Sequence, residues 1–126
     1  MSTSRFTARD ADDVRSTVET WTSQMGHDWP AWLAHYASNC VLMAPGSPRI
    51  VGKVAIEAYV QEGFGDVANV RHTHWSIEGD GDLAVVNNDI EFDDADGLTT
   101  IKQIIVLIRL DGGWRVQQVC FNDPGG

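Results

Sequence analysis

The sequence contains little cysteine and no long apolar run. Its two cysteines, Cys40 and Cys120, cannot form the disulfide framework of a small secreted domain, and no Cys or His pair has the spacing of zinc ligands. We therefore expect two reduced thiols and no metal site. The longest uninterrupted apolar run, 104–108, is far shorter than the roughly 20 residues of a membrane span, and no apolar signal stretch follows Met1. A cytoplasmic protein without a membrane partner is expected.

Positive charge is also scarce. Nine Lys and Arg residues stand against eighteen Asp and Glu residues, which gives a net charge of −9. A surface of this sign repels a phosphate backbone, so no nucleic-acid partner is expected. The sequence also has no glycine-rich phosphate loop and no nucleophile elbow, and we expect no cofactor.

The 126 residues are of a length that suits one domain. Residues 1–7 are polar and without periodicity, so we interpret them as a flexible N-terminal arm that precedes a domain over 8–126. Apolar residues between 11 and 25 recur at three- and four-residue spacing, which predicts a helix packed on one side. Asp28 is typical of a helix N-cap and predicts a second, short helix, and a third helix is predicted after Gly52.

The remaining segments have the composition of β-strands. A short one covers 40–44, and four longer ones, joined by turns rich in Gly and Asp, cover 70–78, 83–93, 98–110 and 114–122. Short turns make successive strands antiparallel neighbours. The order helix, helix, strand, helix and four strands predicts an α+β domain with helices on one face of a mostly antiparallel sheet, and a pocket between the two layers.

Four short motifs carry a family resemblance. They are Gly26 to Asp28, Tyr36 to Pro45, Gly52 to Ile56 and Asp111 to Arg115. Together they resemble the nuclear transport factor 2-like superfamily, which includes the SnoaL-like polyketide cyclases and ketosteroid isomerase. The resemblance implies a cone-shaped fold, with three N-terminal helices on a strongly curved sheet, and a pocket for a small hydrophobic molecule.

The resemblance does not extend to the catalytic residues of ketosteroid isomerase. That enzyme uses an Asp base and an oxyanion hole made of a Tyr and a protonated Asp. With the motifs in register, these positions are Ala44, Thr20 and Val106. A methyl group cannot move a proton, so steroid isomerisation by that mechanism is rejected.

The superfamily hosts many activities, and two functional hypotheses therefore remain. The first is a cofactor-independent acid–base enzyme of the cyclase, isomerase or dehydratase kind, acting on a polyketide- or terpenoid-like compound. The second is a non-catalytic module for ligand binding or dimerisation.

Two histidines are the strongest local signal. Side chains alternate along a strand, so His72 and His74 are expected on one face, and imidazole titrates near neutral pH. Some dehydratase-like members of the superfamily resemble this arrangement and pair a histidine with an Asp after the first helix, which here is Asp28. Alternatively, both histidines face solvent and Asp28 only caps its helix. We prefer His74 as the proton carrier because it lies further from the start of the strand.

The strand over 83–93 has one polar and one apolar face. The polar face carries Asn87, Asp89 and Glu91, and the apolar face carries Val86, Ile90 and Phe92. The resemblance points the polar row into the pocket, with Asp89 as a candidate proton acceptor and Asn87 and Glu91 as candidate substrate ligands. The apolar row would then cover the outer sheet face, where family members commonly dimerise, so a homodimer through that face is expected. Alternatively, the polar row is an ordinary solvated face.

Lys102 follows the same register. The resemblance points it inward, where it could hold the charge of a carboxylate or bind a substrate oxygen. The alternative is a surface ion pair of little consequence. A reversed register would turn Gln103 inward instead.

A set of aromatic and thioether side chains lies on the apolar faces of the predicted elements. Its members are Trp21, Met25, Trp32, Tyr36, Met43, Tyr59 and Phe64. Most belong to the core, and a few are expected to give the pocket an apolar wall suited to a flat hydrophobic ligand.

Overall fold

The computed structural model describes residues 5–123. Its three helices are α1 (Ala8–Gln24), α2 (Trp29–Ala34) and α3 (Lys53–Phe64). Its six strands are β1 (Tyr36–Met43), β2 (Ile50–Val51), β3 (Ala68–Asp80), β4 (Leu83–Asp94), β5 (Gly97–Leu110) and β6 (Gly113–Asn122). The predicted order agrees with this arrangement, apart from the two-residue strand β2, which the sequence analysis missed. Within the described range, no helix is long and apolar enough to cross a membrane.

The strands form one curved sheet in the order β2-β1-β6-β5-β4-β3. Strands β3 to β6 are successive antiparallel neighbours, as the turn sequences predicted. Strand β1 lies beside β6 in parallel, because α3 and the other strands separate the two in the chain and no tight turn has to join them.

Helix α1 begins at a capping box. The Asp10 N–H donates to Thr7 Oγ1 over 3.1 Å, and the Thr7 N–H donates to Asp10 Oδ2 over 2.9 Å. Just before it, the ring of Phe6 packs edge-on against Trp114, with centroids 5.8 Å apart. The prediction of a loose arm is therefore wrong for Phe6 and Thr7, while residues 1–4 lie outside the described part of the chain.

The core lies between the helices and one face of the sheet. Buried and more exposed residues alternate along the neighbouring strands β4 and β5, as expected of a sheet covered on one side. The buried residues are Ala84, Val86, Asn88, Ile90 and Phe92 of β4 and Ile101, Gln103, Ile105 and Leu107 of β5.

This alternation corrects the register predicted from the family resemblance. The apolar row of Val86, Ile90 and Phe92 faces the helices, and the row of Asn87, Asp89 and Glu91 faces away from them, as does Lys102. The physical reason is that the apolar row gains most by leaving water, whereas carboxylates beneath the helices would be desolvated. The reversed register, with Gln103 inside, is the correct one.

Strand β3 contains a β-bulge. From Thr73 to Ser76 it advances three residues while its partner β4 advances two. The extra residue, His74, has a φ of 58°, in the left-handed region. His72 therefore points toward the helices and His74 toward the opposite face, so the prediction that they share a face is wrong.

Candidate functional site

A small cavity lies where the helices meet the inward face of the sheet. Its volume is about 40 Å³. The wall is mostly apolar and is formed by residues of all three helices and of β1, β4, β5 and β6. This is the position at which the sequence analysis placed a ligand pocket.

Five of the seven predicted aromatic and thioether residues line the cavity. They are Trp21, Met25, Trp32, Tyr36 and Phe64. Met43 does not, because it alternates with the buried Leu42 and lies on the outer sheet face next to Cys120 of β6. Tyr59 is half-buried and packs against the core from α3, outside the cavity wall.

His72 lies behind the wall of this cavity. Its Nε2 is 2.8 Å from Oγ1 of Thr22, a residue that lines the cavity. The same Oγ1 is 2.9 Å from the carbonyl oxygen of Val18 and 3.2 Å from that of Glu19, so the single hydroxyl proton has three acceptors within reach: the two carbonyls and an unprotonated Nε2. Burial lowers the pKa of His72 below its usual 6.5; Glu19 opposes the shift and Arg15 adds to it. The neutral imidazole therefore predominates at neutral pH.

The other side of His72 is held by a stack of side chains. The ring of Trp75 lies 5.1 Å from the imidazole at an interplanar angle of 33°, and the guanidinium of Arg15 sits 4.7 Å above the indole. Cation–π contact and ring stacking fix the imidazole against α1. This geometry keeps Nε2 directed at the hydroxyl.

His74 and Asp89 meet on the opposite face of the sheet. Nδ1 of His74 is 3.0 Å from Oδ2 of Asp89, and the two side chains are 78% and 32% exposed. They border a groove of about 350 Å³ that Asn87 and Lys102 also line. His74 and Asp89 are in contact, but the predicted placement in the pocket beneath the helices is wrong for all four residues.

Asp28 and Glu91 also lie away from the cavity. Asp28 is exposed, and its Oδ1 accepts the N–H of Ala31 over 3.2 Å, which makes it the N-cap of α2. Glu91 forms an ion pair with Arg71 across the outer face, with 3.5 Å between Nε and Oε1. The predicted placement of both residues in the pocket is wrong, and for Asp28 the capping alternative is correct.

Two polar residues of the cavity wall, Thr22 and Gln103, were not among the predicted site residues. Thr22 lies four residues after Val18, so extending the helical stripe by one position would have found it. Gln103 donates from Nε2 to Oδ1 of Asn88 over 3.0 Å, and both side chains are buried. Gln103 contributes a polar group to the cavity wall.

A curved sheet with a four-strand meander, covered on one face by helices around a cavity, is the architecture of the nuclear transport factor 2-like and cystatin-like folds. Solved structures agree. A ketosteroid isomerase-like protein from Erwinia carotovora atroseptica SCRI1043 superposes with a TM-score of 0.80 at 19% identity, covering 94% of this chain and 98% of that one. An NTF2-like protein of unknown function from Pseudomonas putida KT2440 gives 0.79 at 20% identity, covering 94% and 89%.

A protein of unknown function with a cystatin-like fold from Nostoc punctiforme gives a TM-score of 0.78 at 18% identity, covering 94% of both chains. At these identities the likeness establishes the fold alone. No curated protein matches this chain in sequence. The chain itself matches the SnoaL-like domain over residues 14–117 and belongs to that family. The resemblance drawn from the four motifs is thereby confirmed.

Proposed function

We propose that the chain binds a small, hydrophobic, oxygen-bearing molecule in the cavity and moves a proton on it without a cofactor, as a cyclase, isomerase or dehydratase does. The observation that carries this proposal is the 2.8 Å contact between His72 Nε2 and the Thr22 hydroxyl at the cavity wall. Polyketide- or terpenoid-like compounds are the proposed substrate class. A cytoplasmic location is part of the proposal.

The proposed proton carrier is His72 rather than His74. A general base must reach the proton it abstracts directly or through one intermediary, and only His72 has such a path to the cavity. A substrate C–H bond breaks as its proton passes to Thr22 Oγ1, and the hydroxyl proton passes to Nε2. The electron pair of the C–H bond moves onto the neighbouring carbonyl oxygen, which gives an enolate. Return of the proton to another atom completes an isomerisation.

Entry of a ligand requires the cavity to widen. About 40 Å³ is far below the roughly 300–1,000 Å³ of ordinary ligand sites. Met25 and Phe64 are the proposed moving side chains, because each lies on the cavity wall at a helix end and is followed in the chain by a glycine. Displacement of these two side chains would enlarge the cavity without moving the sheet.

A small ketone tests the proton transfer directly. Cyclopentanone in deuterium oxide exchanges its α-hydrogens for deuterium through the enolate, and NMR follows the loss of signal. The wild-type protein should accelerate this exchange. His72→Gln keeps a hydrogen bond to Thr22 but removes the titratable group, so the acceleration should fall by about 10²-fold or more.

Two further variants make the assay specific. Thr22→Val should abolish the acceleration and Thr22→Ser should restore part of it, because only the serine retains a hydroxyl. His74→Gln is the matched control on the opposite sheet face and should behave as wild type. Exchange that is unaffected in His72→Gln, or lost in His74→Gln, contradicts the proposal.

The alternative is a non-catalytic module for ligand binding or dimerisation. It is favoured by the small volume of the cavity and by the exposed Ile104, which is 47% exposed on the outer sheet face. Mass spectrometry of small molecules that co-purify with the protein would separate the two: a bound compound that the protein leaves unchanged supports the alternative.

A further inference from the structure

Three aromatic side chains from three different elements meet at the cavity. Trp21 of α1 and Trp32 of α2 each contact Tyr36 of β1 edge to face, with ring centroids 5.6 Å and 5.0 Å apart. All three are buried, and all three line the cavity. The arrangement therefore depends on how both helices pack against β1.

The indole N–H groups of Trp21 and Trp32 are buried and have no hydrogen-bond partner among residues 5–123. Buried donors in folded proteins nearly always have a partner, because an unpaired donor gives up its hydrogen bond to water without compensation. The side chain of Trp21 lowers the pKa of the Tyr36 hydroxyl against the larger effect of burial, but its N–H meets no acceptor at hydrogen-bonding geometry. Because both tryptophans line the cavity, a ligand that enters and widens it is a candidate acceptor for these two donors.

The other polar groups of the wall limit the charge of that ligand. Burial raises the pKa of Tyr36 well above its usual 10.0, so its hydroxyl stays protonated at neutral pH. The described residues that line the cavity include no Asp, Glu, Lys or Arg. An indole N–H can only donate. The wall therefore suits a neutral oxygen acceptor, or an oxygen that gains negative charge, and offers nothing to balance a cation.

We infer that Trp21 and Trp32 determine specificity by donating their indole hydrogens to a carbonyl oxygen of the ligand. The cavity then prefers ketones and quinones over hydrocarbons of the same shape. This inference rests on the proposed function and names its substrate class more closely. During proton abstraction next to the carbonyl, the same donors stabilise the enolate oxygen, because they are shielded from water and have no other acceptor within the described residues.

Heteronuclear NMR with cyclopentanone and cyclopentane tests the inference in the intact chain. The protein has five tryptophans, and each indole N–H gives a separate signal that Trp→Phe variants assign. Cyclopentanone should move the Trp21 and Trp32 signals downfield, as a new hydrogen bond does. It should also shift the methyl signals of Met25 and Val60, which line the cavity. Cyclopentane should shift the methyl signals alone.

Removal of each donor should weaken binding of the ketone selectively. Trp21→Phe and Trp32→Phe keep an aromatic ring but remove the N–H, so each should raise the Kd for cyclopentanone about tenfold and leave that for cyclopentane unchanged. Trp114→Phe is the matched control, because Trp114 is equally buried but packs against Phe6, away from the cavity.

The outcomes separate this inference from the proposed function. Methyl shifts without indole shifts, or equal Kd changes for both compounds, overturn the role of the indoles and leave the pocket standing. Indole signals that do not move when the ketone is added would show that the N–H groups donate only to water, and this result also overturns the role of the indoles. No shift at any cavity residue up to the solubility limit of the ketone overturns both.

Discussion

Ile104 and Ile105 are adjacent on β5 and lie on opposite faces of the sheet. The side chain of Ile105 is fully buried beneath the helices, whereas Ile104 is 47% exposed on the outer face. Their partners on β4 follow the same division, because Ile105 pairs with the buried Val86 and Ile104 with the exposed Asn87. The burial of these two isoleucines therefore shows which face of the sheet packs against the helices.

Truncation of these two residues should have unequal effects on stability. Ile105→Ala leaves a void in a closely packed core and should lower the free energy of unfolding by about 2–5 kcal/mol. Ile104→Ala should lower it by about 1 kcal/mol or less, because its side chain already contacts water. Urea unfolding at matched, low protein concentration measures both. Equal losses, or a larger loss for Ile104, would support the register that the family resemblance suggested.

The sequence predicted the meander but not the register of its strands. Turns at Gly81, Gly97 and Gly112, all with positive φ, separate the strands clearly and fix their order. Strand β5, in contrast, carries apolar residues on both faces, so its pattern is compatible with either orientation. A shift of one residue exchanges the two faces completely. Which face of β5 is buried depends on the face that the helices cover, and the sequence of β5 alone does not contain this information.

The histidine pair shows a second limit of sequence reasoning. In a regular strand, residues two apart lie on the same face of the sheet. One extra residue at His74 breaks this rule, and from that point the residues of β3 lie on the face opposite to the one expected. Nothing in the segment from Arg71 to Trp75 signals the bulge, since it contains neither Gly nor Pro. The aromatic wall was easier to predict, because Trp21 and Trp32 lie on apolar helical faces.

The positive φ at His74 predicts an unusual order of stability. An L-residue is strained in the left-handed region by roughly 1 kcal/mol, and glycine is not. His74→Gly should therefore be more stable than His74→Ala by about 1 kcal/mol in urea unfolding. At the neighbouring Thr73 the order should reverse, with the alanine variant the more stable by about 0.5–1 kcal/mol. Alanine variants favoured at both positions would mean that the bulge is absent in solution.

The lowered pKa of His72 predicts a loss of stability in mild acid. The unfolded chain takes up the proton near pH 6.5, whereas burial keeps the folded imidazole neutral to lower pH. The free energy of unfolding is therefore unaffected by protonation of His72 above pH 6.5. It decreases as the pH falls toward the pKa of His72 in the folded protein. The charge of Glu19 raises the pKa of His72 and that of Arg15 lowers it, so burial decides the direction of the pKa shift. His35, whose pKa burial also lowers, adds to the effect.

His72→Gln isolates this contribution. The variant should unfold with a smaller difference in free energy between pH 7.5 and pH 5.5 than the wild type, and NMR titration should place the pKa of His72 below 6.5. The exposed His74 serves as the matched control, since His74→Gln removes an imidazole from the opposite, exposed face. A His72 pKa above 6.5 would contradict the burial of its ring.

The ion pair between Asp10 and Arg109 predicts a second, more acidic transition. Their side chains approach to 2.9 Å, and the hydrogen bond from Arg109 is the largest of the effects that lower the Asp10 pKa to about 2 from the usual 3.8. Stability from this pair is present above pH 3.8 and disappears as the pH falls through about 2. Asp10→Asn should be less stable than wild type at neutral pH, with a difference that shrinks below pH 3.8. A difference that stays constant from pH 7 to pH 2 would show that the charge of the Asp10 carboxylate contributes nothing to stability, which contradicts the lowered pKa.

The homodimer through the outer sheet face stays a prediction, and the apolar residues of that face differ from those on which it was based. Val86, Ile90 and Phe92 are buried in the core, and the outward row of β5 instead offers Ile104, Val106 and Ile108. Ile104 is exposed and the other two are partly buried. An apolar row of this kind on a central strand gains by being covered, and a second copy of the same face is the simplest cover.

Light scattering on two aspartate variants tests this dimer. Ile104→Asp should leave the fold intact and convert a dimer at tens of micromolar into a monomer, because a carboxylate at the centre of an interface would lose its water without a partner. Ser38→Asp, on an exposed part of β1, is the control and should remain dimeric. A wild-type protein that is monomeric at tens of micromolar removes the dimer and leaves the apolar row of β5 as ordinary exposed surface.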